Sequence, residues 1–157
     1  MENKFPITVI LDNIRSALNV GAIFRTCDAV NIEKLYLCGI TAYPPHNRIP
    51  KTALGSIETV PWEYFDSTIK AVETIRRCND VTIISAELTS NAVSIWEYGF
   101  RPPFAIVFGN EVSGISDEIL KKSDAAVKIP MFGKKDSLNV STAAGIVLYE
   151  AARQLYS

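Results

Sequence analysis

The chain has 157 residues, 48% of them hydrophobic, and its 16 Lys+Arg against 17 Asp+Glu leave a formal charge of −1. That length fits one globular domain, able to bury roughly 68–70% of its unfolded surface without a disulfide or metal staple. The charge balance excludes a histone-like arm, a strongly acidic tail and a disordered polyampholyte, so any nucleic-acid face must be local.

Residues 7–11 (ITVIL) read as a buried strand. A helix over 19–30 follows, because Val20, Ile23, Phe24, Cys27 and Val30 recur at the spacing of one buried face. Arg25 lies roughly 160° from the centre of that stripe at about 100° per residue. It points away from the local core, as a solvated arginine or as something more specific.

A strand over 35–38 (LYLC) comes next. From 34 to 57 the chain carries Lys34, Arg48 and Lys51, no acidic residue, and the interleaved Tyr36 and Tyr43. Cations beside stacking surface are what single-stranded RNA requires, although a plain solvated face has the same composition. Further elements are a helix over 67–77, strands over 81–85 (VTIIS) and 104–108 (FAIVF), and a helix over 116–122. A shorter strand over 126–129 ends at Pro130, and a last helix runs over 139–156. Strands that are apolar throughout are covered on both faces. Their alternation with helices predicts a single α/β domain over 1–157 with a mainly parallel sheet flanked by helices.

In the last helix, Val140, Ala144, Val147, Leu148, Ala151 and Leu155 form one stripe. Ala143, Gly145, Ile146 and Ala152 make the other faces apolar too. Such a helix must be covered nearly all round, by the chain's own core or by a second copy. A homodimer through this helix is the expectation.

Cys27, Cys38 and Cys78 form no CxxC pair, which excludes a zinc ribbon and a thioredoxin-type motif; free thiols in a reducing compartment fit. A single histidine, His46 in a proline-flanked loop, rules out a His-rich metal site. No apolar run approaches the ~20 residues that span a bilayer. Asp12 interrupts the first apolar stretch too early for a signal peptide, so a cytoplasmic location is expected.

Two further segments carry possible chemistry. FGNEVSG at 108–114 follows a strand and precedes a helix, where an open α/β sheet binds ligands. It is neither a Walker A loop nor GxGxxG, and a purely structural turn has the same composition. IPM at 129–131 and SLNVS at 137–141 lead into the last helix. Ser137, Asn139 and Ser141 can cap that helix, while apolar Ile129 and Met131 could hold a flat adenine.

Taken in order, NVGAIFRTCDA at 19–29, FGNEVSG at 108–114 and IPM…SLNVS at 129–141 resemble three motifs of one family. This is the SpoU/TrmH-type RNA 2′-O-ribose methyltransferases of the SPOUT superfamily. KTALGS at 51–56 is similar to a further family element, less crisply. The resemblance covers almost the whole chain. It implies a C-terminal trefoil knot that forms the S-adenosylmethionine site, a feature general folding rules would argue against. It also implies a dimer through the last helix.

By motif position, the resemblance assigns Gly109, Asn110, Gly114, Ile129, Met131 and Leu138 to the cofactor, with Ala86 and Glu87 as additions. It makes Arg25 the catalytic residue, with Asn19, Glu111, Ser137 and Asn139 placing the ribose, the RNA or Arg25. No metal is implied. Arg25 either takes the proton with help from an RNA phosphate, or stays charged and stabilises the developing alkoxide. The chain starts close to its first strand and ends with its last helix, so no separate RNA-binding extension is expected. Lys34, Arg48 and Lys51 would then grip the RNA, and a compact tRNA is favoured over rRNA. The competing readings are a catalytically inactive RNA-binding dimer of the same fold and a generic nucleotide-binding α/β protein.

Overall fold

A computed structural model of the chain describes residues 3–78 and 80–156. The elements in order are β1 (Phe5–Asp12), α1 (Ala17–Val30), β2 (Ile32–Cys38), α2 (Pro50–Ala53), a 3-10 turn (Ser56–Glu58), β3 (Trp62–Phe65), α3 (Thr68–Arg76), β4 (Thr82–Ala86), β5 (Val93–Ser94), β6 (Phe104–Gly109), α4 (Asp117–Lys122), β7 (Ala125–Lys128) and α5 (Val140–Tyr156). Every predicted strand and helix is present, shifted by at most a few residues at its ends. The sequence reading missed β3, β5, α2 and the 3-10 turn. β5 is only two residues long, α2 only four, and WEYF in β3 has no apolar run to betray it.

The strands form one sheet in the order β3-β2-β1-β6-β4-β7-β5, and every pairing among them is parallel. The core explains the continuous apolar runs. On one face Ile7, Val9 and Leu11 of β1 pack with Val20, Phe24 and Cys27 of α1 and with Ala144, Val147 and Leu148 of α5. On the other, Ile10, Tyr36 and Val107 pack with Ala71, Val72 and Ile75 of α3 and Ile119 of α4. The central strands β1, β4 and β6 are therefore covered on both faces, while the edge strand β3 is half-buried.

The helices start where the sequence supplies caps. Ser16 accepts the Asn19 N–H at 3.2 Å, Ser67 caps α3, and Ser116 caps α4. α4 also carries Asp117 and Glu118 in its first turn and Lys121 and Lys122 in its last, which complements the helix dipole. α1 ends at Asn31, whose left-handed φ of 60° closes the helix. Of the three candidate caps for α5, Asn139 is the one that bonds the helix start: its Oδ1 accepts the Ser141 N–H at 2.9 Å and the Thr142 N–H at 3.4 Å.

Asp12 at the end of β1 is buried, and its carboxylate accepts the Thr68 hydroxyl and the Ser116 N–H. One side chain thus ties the starts of α3 and α4 to the centre of the sheet. β6 inserts between β1 and β4, so the strand order reverses direction here and the carboxyl ends of the strands open a crevice.

Candidate active site

The crevice is a cavity of about 960 Å³ at the carboxyl ends of β4, β6 and β7, closed on one side by the first turns of α5. All eight residues expected to hold the cofactor line it: Ala86, Glu87, Gly109, Asn110, Gly114, Ile129, Met131 and Leu138. Glu111, Ser137 and Asn139 line it too. Sequence reasoning missed Leu88, Lys128 and Asp136 in the wall. Lys128 lay at the end of a recognised strand and Asp136 beside a recognised motif, so their positions were the available signal.

The 109–114 loop is built rather than slack. Asn110 Oδ1 accepts the N–H groups of Val112 at 2.9 Å and Ser113 at 3.0 Å, and its amide donates to the Asn13 carbonyl at 2.6 Å. Its backbone closes the same loop: the Asn110 N–H donates to the Gly114 carbonyl at 3.2 Å and its carbonyl accepts the Gly114 N–H at 2.9 Å. At Gly109 a Cβ would lie 2.5 Å from the Gly114 carbonyl carbon and from the Ile115 nitrogen. Gly114 has φ +71° and its Cβ would strike the Glu87 carboxylate. That carboxylate accepts the Ile115 N–H at 2.7 Å, so Glu87 braces the loop from beneath.

Glu111 faces the other way. Its carboxylate accepts the Arg15 N–H at 2.7 Å, the Ser16 N–H at 3.0 Å and the Asn19 amide at 3.0 Å. Partial burial acts to raise its pKa, but the bonds from Arg15, Asn19 and Ser16 outweigh it, and the carboxyl lies below its ordinary range. The anion sits at the amino end of α1, where the helix dipole also favours it. Asn139 in turn donates to Asn19 Oδ1 at 3.3 Å. Three residues far apart in sequence, Asn19, Glu111 and Asn139, form one chain of hydrogen bonds that joins the cavity loops to the helix carrying Arg25.

Arg25 itself is exposed, as its helical position predicted, but it does not line the cavity. It lines a separate groove of about 740 Å³ with Lys51, Leu54, Gly145, Ile146 and Tyr149, between α1, α2 and α5. Among the described residues it makes no ion pair or hydrogen bond. Glu111 holds the start of its helix and not its guanidinium.

The basic residues expected along 34–51 are not one patch. Lys34 shares the α3 face of β2 with Tyr36, lies 5.7 Å from that ring and pairs with Glu63 at 3.7 Å. Lys51 opens the Arg25 groove on the opposite face of the sheet, and Arg48 sits in the loop before α2. Only Lys34 is on a strand; the chain leaves β2 and crosses to the α1 face before Arg48 and Lys51, which separates residues that the linear count grouped.

The cavity fits the nucleoside part of S-adenosylmethionine. Ile129, Met131 and Leu138 supply apolar wall for an adenine. The absent Cβ atoms of Gly109 and Gly114 let the loop fold tightly against Ile115 and Glu87 in the cavity wall, and Glu87 and Asp136 supply negative charge for a cationic donor. The three cysteines are free thiols and stand apart from it. Among the described residues, no helix is long and apolar enough to cross a membrane.

Comparison with known proteins agrees with this geometry. Residues 6–149 match the model of the SpoU rRNA Methylase family. The chain is 36% identical over 150 residues to the tRNA (guanosine(18)-2′-O)-methyltransferase of Thermus thermophilus, covering 94% of this chain and 75% of that one. The crystal structure of the Aquifex aeolicus TrmH/SpoU tRNA modifying enzyme superimposes with a TM-score of 0.87 at 34% identity, covering 98% and 77% of the two chains. The SpoU methyltransferase AviRb from Streptomyces viridochromogenes, solved in complex with the cofactor AdoMet, gives a TM-score of 0.87 at 27% identity, covering 99% and 60%. With a family model spanning nearly its whole length, with two of its three distant motifs gathered at one cavity and the first tied to them through Asn19, the chain belongs to the SpoU methylase family.

Proposed function

We propose that the chain transfers a methyl group from S-adenosylmethionine to a ribose 2′-hydroxyl of tRNA. The observation that carries this reading is the convergence of residues 86–87, 109–114 and 129–139 on one cavity hydrogen-bonded to the Arg25 helix. Bound S-adenosylmethionine supplies an electrophilic methyl and its own leaving group, so the protein has only to position and activate the oxygen. Ile129, Met131 and Leu138 hold the adenine, and the backbone of Gly109 and Asn110 approaches the nucleoside. Ser137 and Asn139 face the reacting groups from the rim.

Arg25 is the catalytic residue. A guanidinium holds its proton tightly, so it is a donor of charge before it is a base. Arg25 stabilises the 2′-oxygen as its proton passes to solvent water, aided by the absence of any carboxylate partner among the described residues.

The separation of the two grooves supports a site shared between two chains. Gly145, Ile146 and Tyr149 border the Arg25 groove, whereas Val140, Ala143 and Val147 border the cavity. At about 100° per residue these sets lie roughly 150° apart around α5. Ile146 and Tyr149 are 38% and 54% exposed, on a helix with little polar surface to offer water. A second copy seated on that face forms the dimer, and the partner's Arg25 completes the cavity. The enzyme works in the cytoplasm, where its RNA is.

Calorimetry with S-adenosylmethionine, with ATP and NAD as controls, tests the cofactor assignment. Selective binding near one site per chain is expected. Transfer of labelled methyl to tRNA then tests the reaction, and mass spectrometry of the digested RNA gives the nucleotide. Equal affinity for ATP or NAD, or a methyl product elsewhere than on a ribose oxygen, contradicts the reading.

A further inference from the structure

We infer that Trp96 and Phe132 form a stacking platform at the rim of the cavity for an unpaired base of the RNA, beside the nucleotide that is methylated. The inference rests on the proposed RNA substrate and adds a surface that the cavity and Arg25 do not include.

Trp96 follows the short edge strand β5 and Phe132 follows Met131 in the cavity wall, yet their rings meet. The centroids are 5.9 Å apart and the planes 25° from parallel. Neither ring is in the core: Trp96 is 63% exposed and Phe132 83%. Two large aromatics stacked on each other in water, next to a ligand cavity, mark a surface with a partner. The pair is also anchored. The Ile95 N–H donates to the Lys128 carbonyl at 2.9 Å, and the Trp96 N–H donates to Ser94 Oγ at 3.2 Å. That leaves the tryptophan at a fixed height beside the 129–139 loop.

The surrounding charge selects the partner. Lys128, Lys134 and Lys135 are exposed, and among the described residues none makes an ion pair or side-chain hydrogen bond. From 128 to 136 they face a single acid, Asp136. Apolar rings on a loop with more cations than acids, even counting Glu97 beside Trp96, suit a base and its phosphates rather than an apolar protein face. A base has a π-face whatever its identity, so the platform grips the strand without reading it.

Phe132→Ala and Trp96→Ala are each expected to raise KM for tRNA roughly ten-fold, in line with the cost of removing one base–aromatic stack. Both should leave S-adenosylmethionine affinity and dimer mass unchanged, and Phe132→Tyr should restore KM. The chain has two tryptophans, so Trp62→Phe leaves Trp96 as the sole emitter. Its fluorescence should be quenched by a short single-stranded oligoribonucleotide, and less so when Phe132→Ala is added. An unchanged KM and an unquenched Trp96 overturn the platform. Loss of dimer mass would assign the pair to the subunit interface, and loss of cofactor affinity would assign it to the cavity wall; either overturns it too. If the unaltered protein bound cofactor but methylated no RNA, the proposed reaction would fail while the quenching titration still decided the platform.

Discussion

The cavity and the Arg25 groove are built on opposite plans. Around the cavity, four polar side chains are committed: Asn110 clasps its own loop, Glu87 braces Ile115, Glu111 holds the start of α1, and Asn139 caps α5. Along the groove Arg25, Lys51 and Tyr149 make no side-chain bond among the described residues, though Thr52 bonds the Leu18 carbonyl, and Arg25 lies exposed beside Ile146 and Tyr149 on the uncovered face of α5. A satisfied site is pre-organised to bind a small molecule. An unsatisfied one, bearing a charge and apolar surface together, suits macromolecules: on the proposed reading, a second copy and an RNA. Cofactor binding then falls within one chain and methyl transfer between two.

The sharpest break comes from the groove. Arg25→Ala should cut turnover roughly 10²–10³-fold, the usual loss when one group that stabilises a developing oxyanion is removed. Calorimetry should show cofactor binding intact, since Arg25 does not line the cavity. Gly114→Val makes the complementary break. It forces a β-branched residue to φ +71° against Glu87, a strain of about 1–3 kcal/mol. S-adenosylmethionine binding and melting temperature should both fall, while light scattering still finds a dimer.

Ile146→Arg tests the uncovered face alone. It should give a folded monomer by light scattering and circular dichroism, with cofactor binding retained and methyl transfer lost. The smallest effect is that of Glu111→Gln. The Glu111 carboxyl titrates below its ordinary value of 4.5 in the folded chain. Its contribution to stability is therefore full above pH 4.5 and is lost as pH falls through the lowered folded pKa. The difference in melting temperature between the unaltered protein and the Glu111→Gln variant should be constant from neutral pH down to that range and shrink below it.

Much of the fold was legible because burial on both faces writes itself as apolar runs. ITVIL, VTIIS and FAIVF each became a strand, and the Val20–Val30 stripe became the buried face of α1. WEYF was illegible because β3 is an edge strand of half-buried residues with no period to read. The cavity was legible through motif order, because glycines and caps at 109–114 and 137–141 are needed wherever backbone meets a ligand. Two things were not. Lys34 and Lys51 are close in sequence, yet Lys34 points to the α3 face of β2 while the chain crosses to the other face of the sheet before α2 carries Lys51. The link from Glu111 through Asn19 to Asn139 spans contacts more than 90 residues apart, which no local pattern encodes.

Subunit mixing tests the division of labour most directly. Arg25→Ala keeps an intact cavity and Gly114→Val keeps an intact Arg25, and each protein alone should be inactive on tRNA. After the two are unfolded and refolded together, mixed dimers should contain one complete site, and methyl transfer should return. No return of activity, from a mixture that mass measurement shows to contain the mixed dimer and under conditions where the unaltered protein refolds to full activity, would contradict a site shared between subunits.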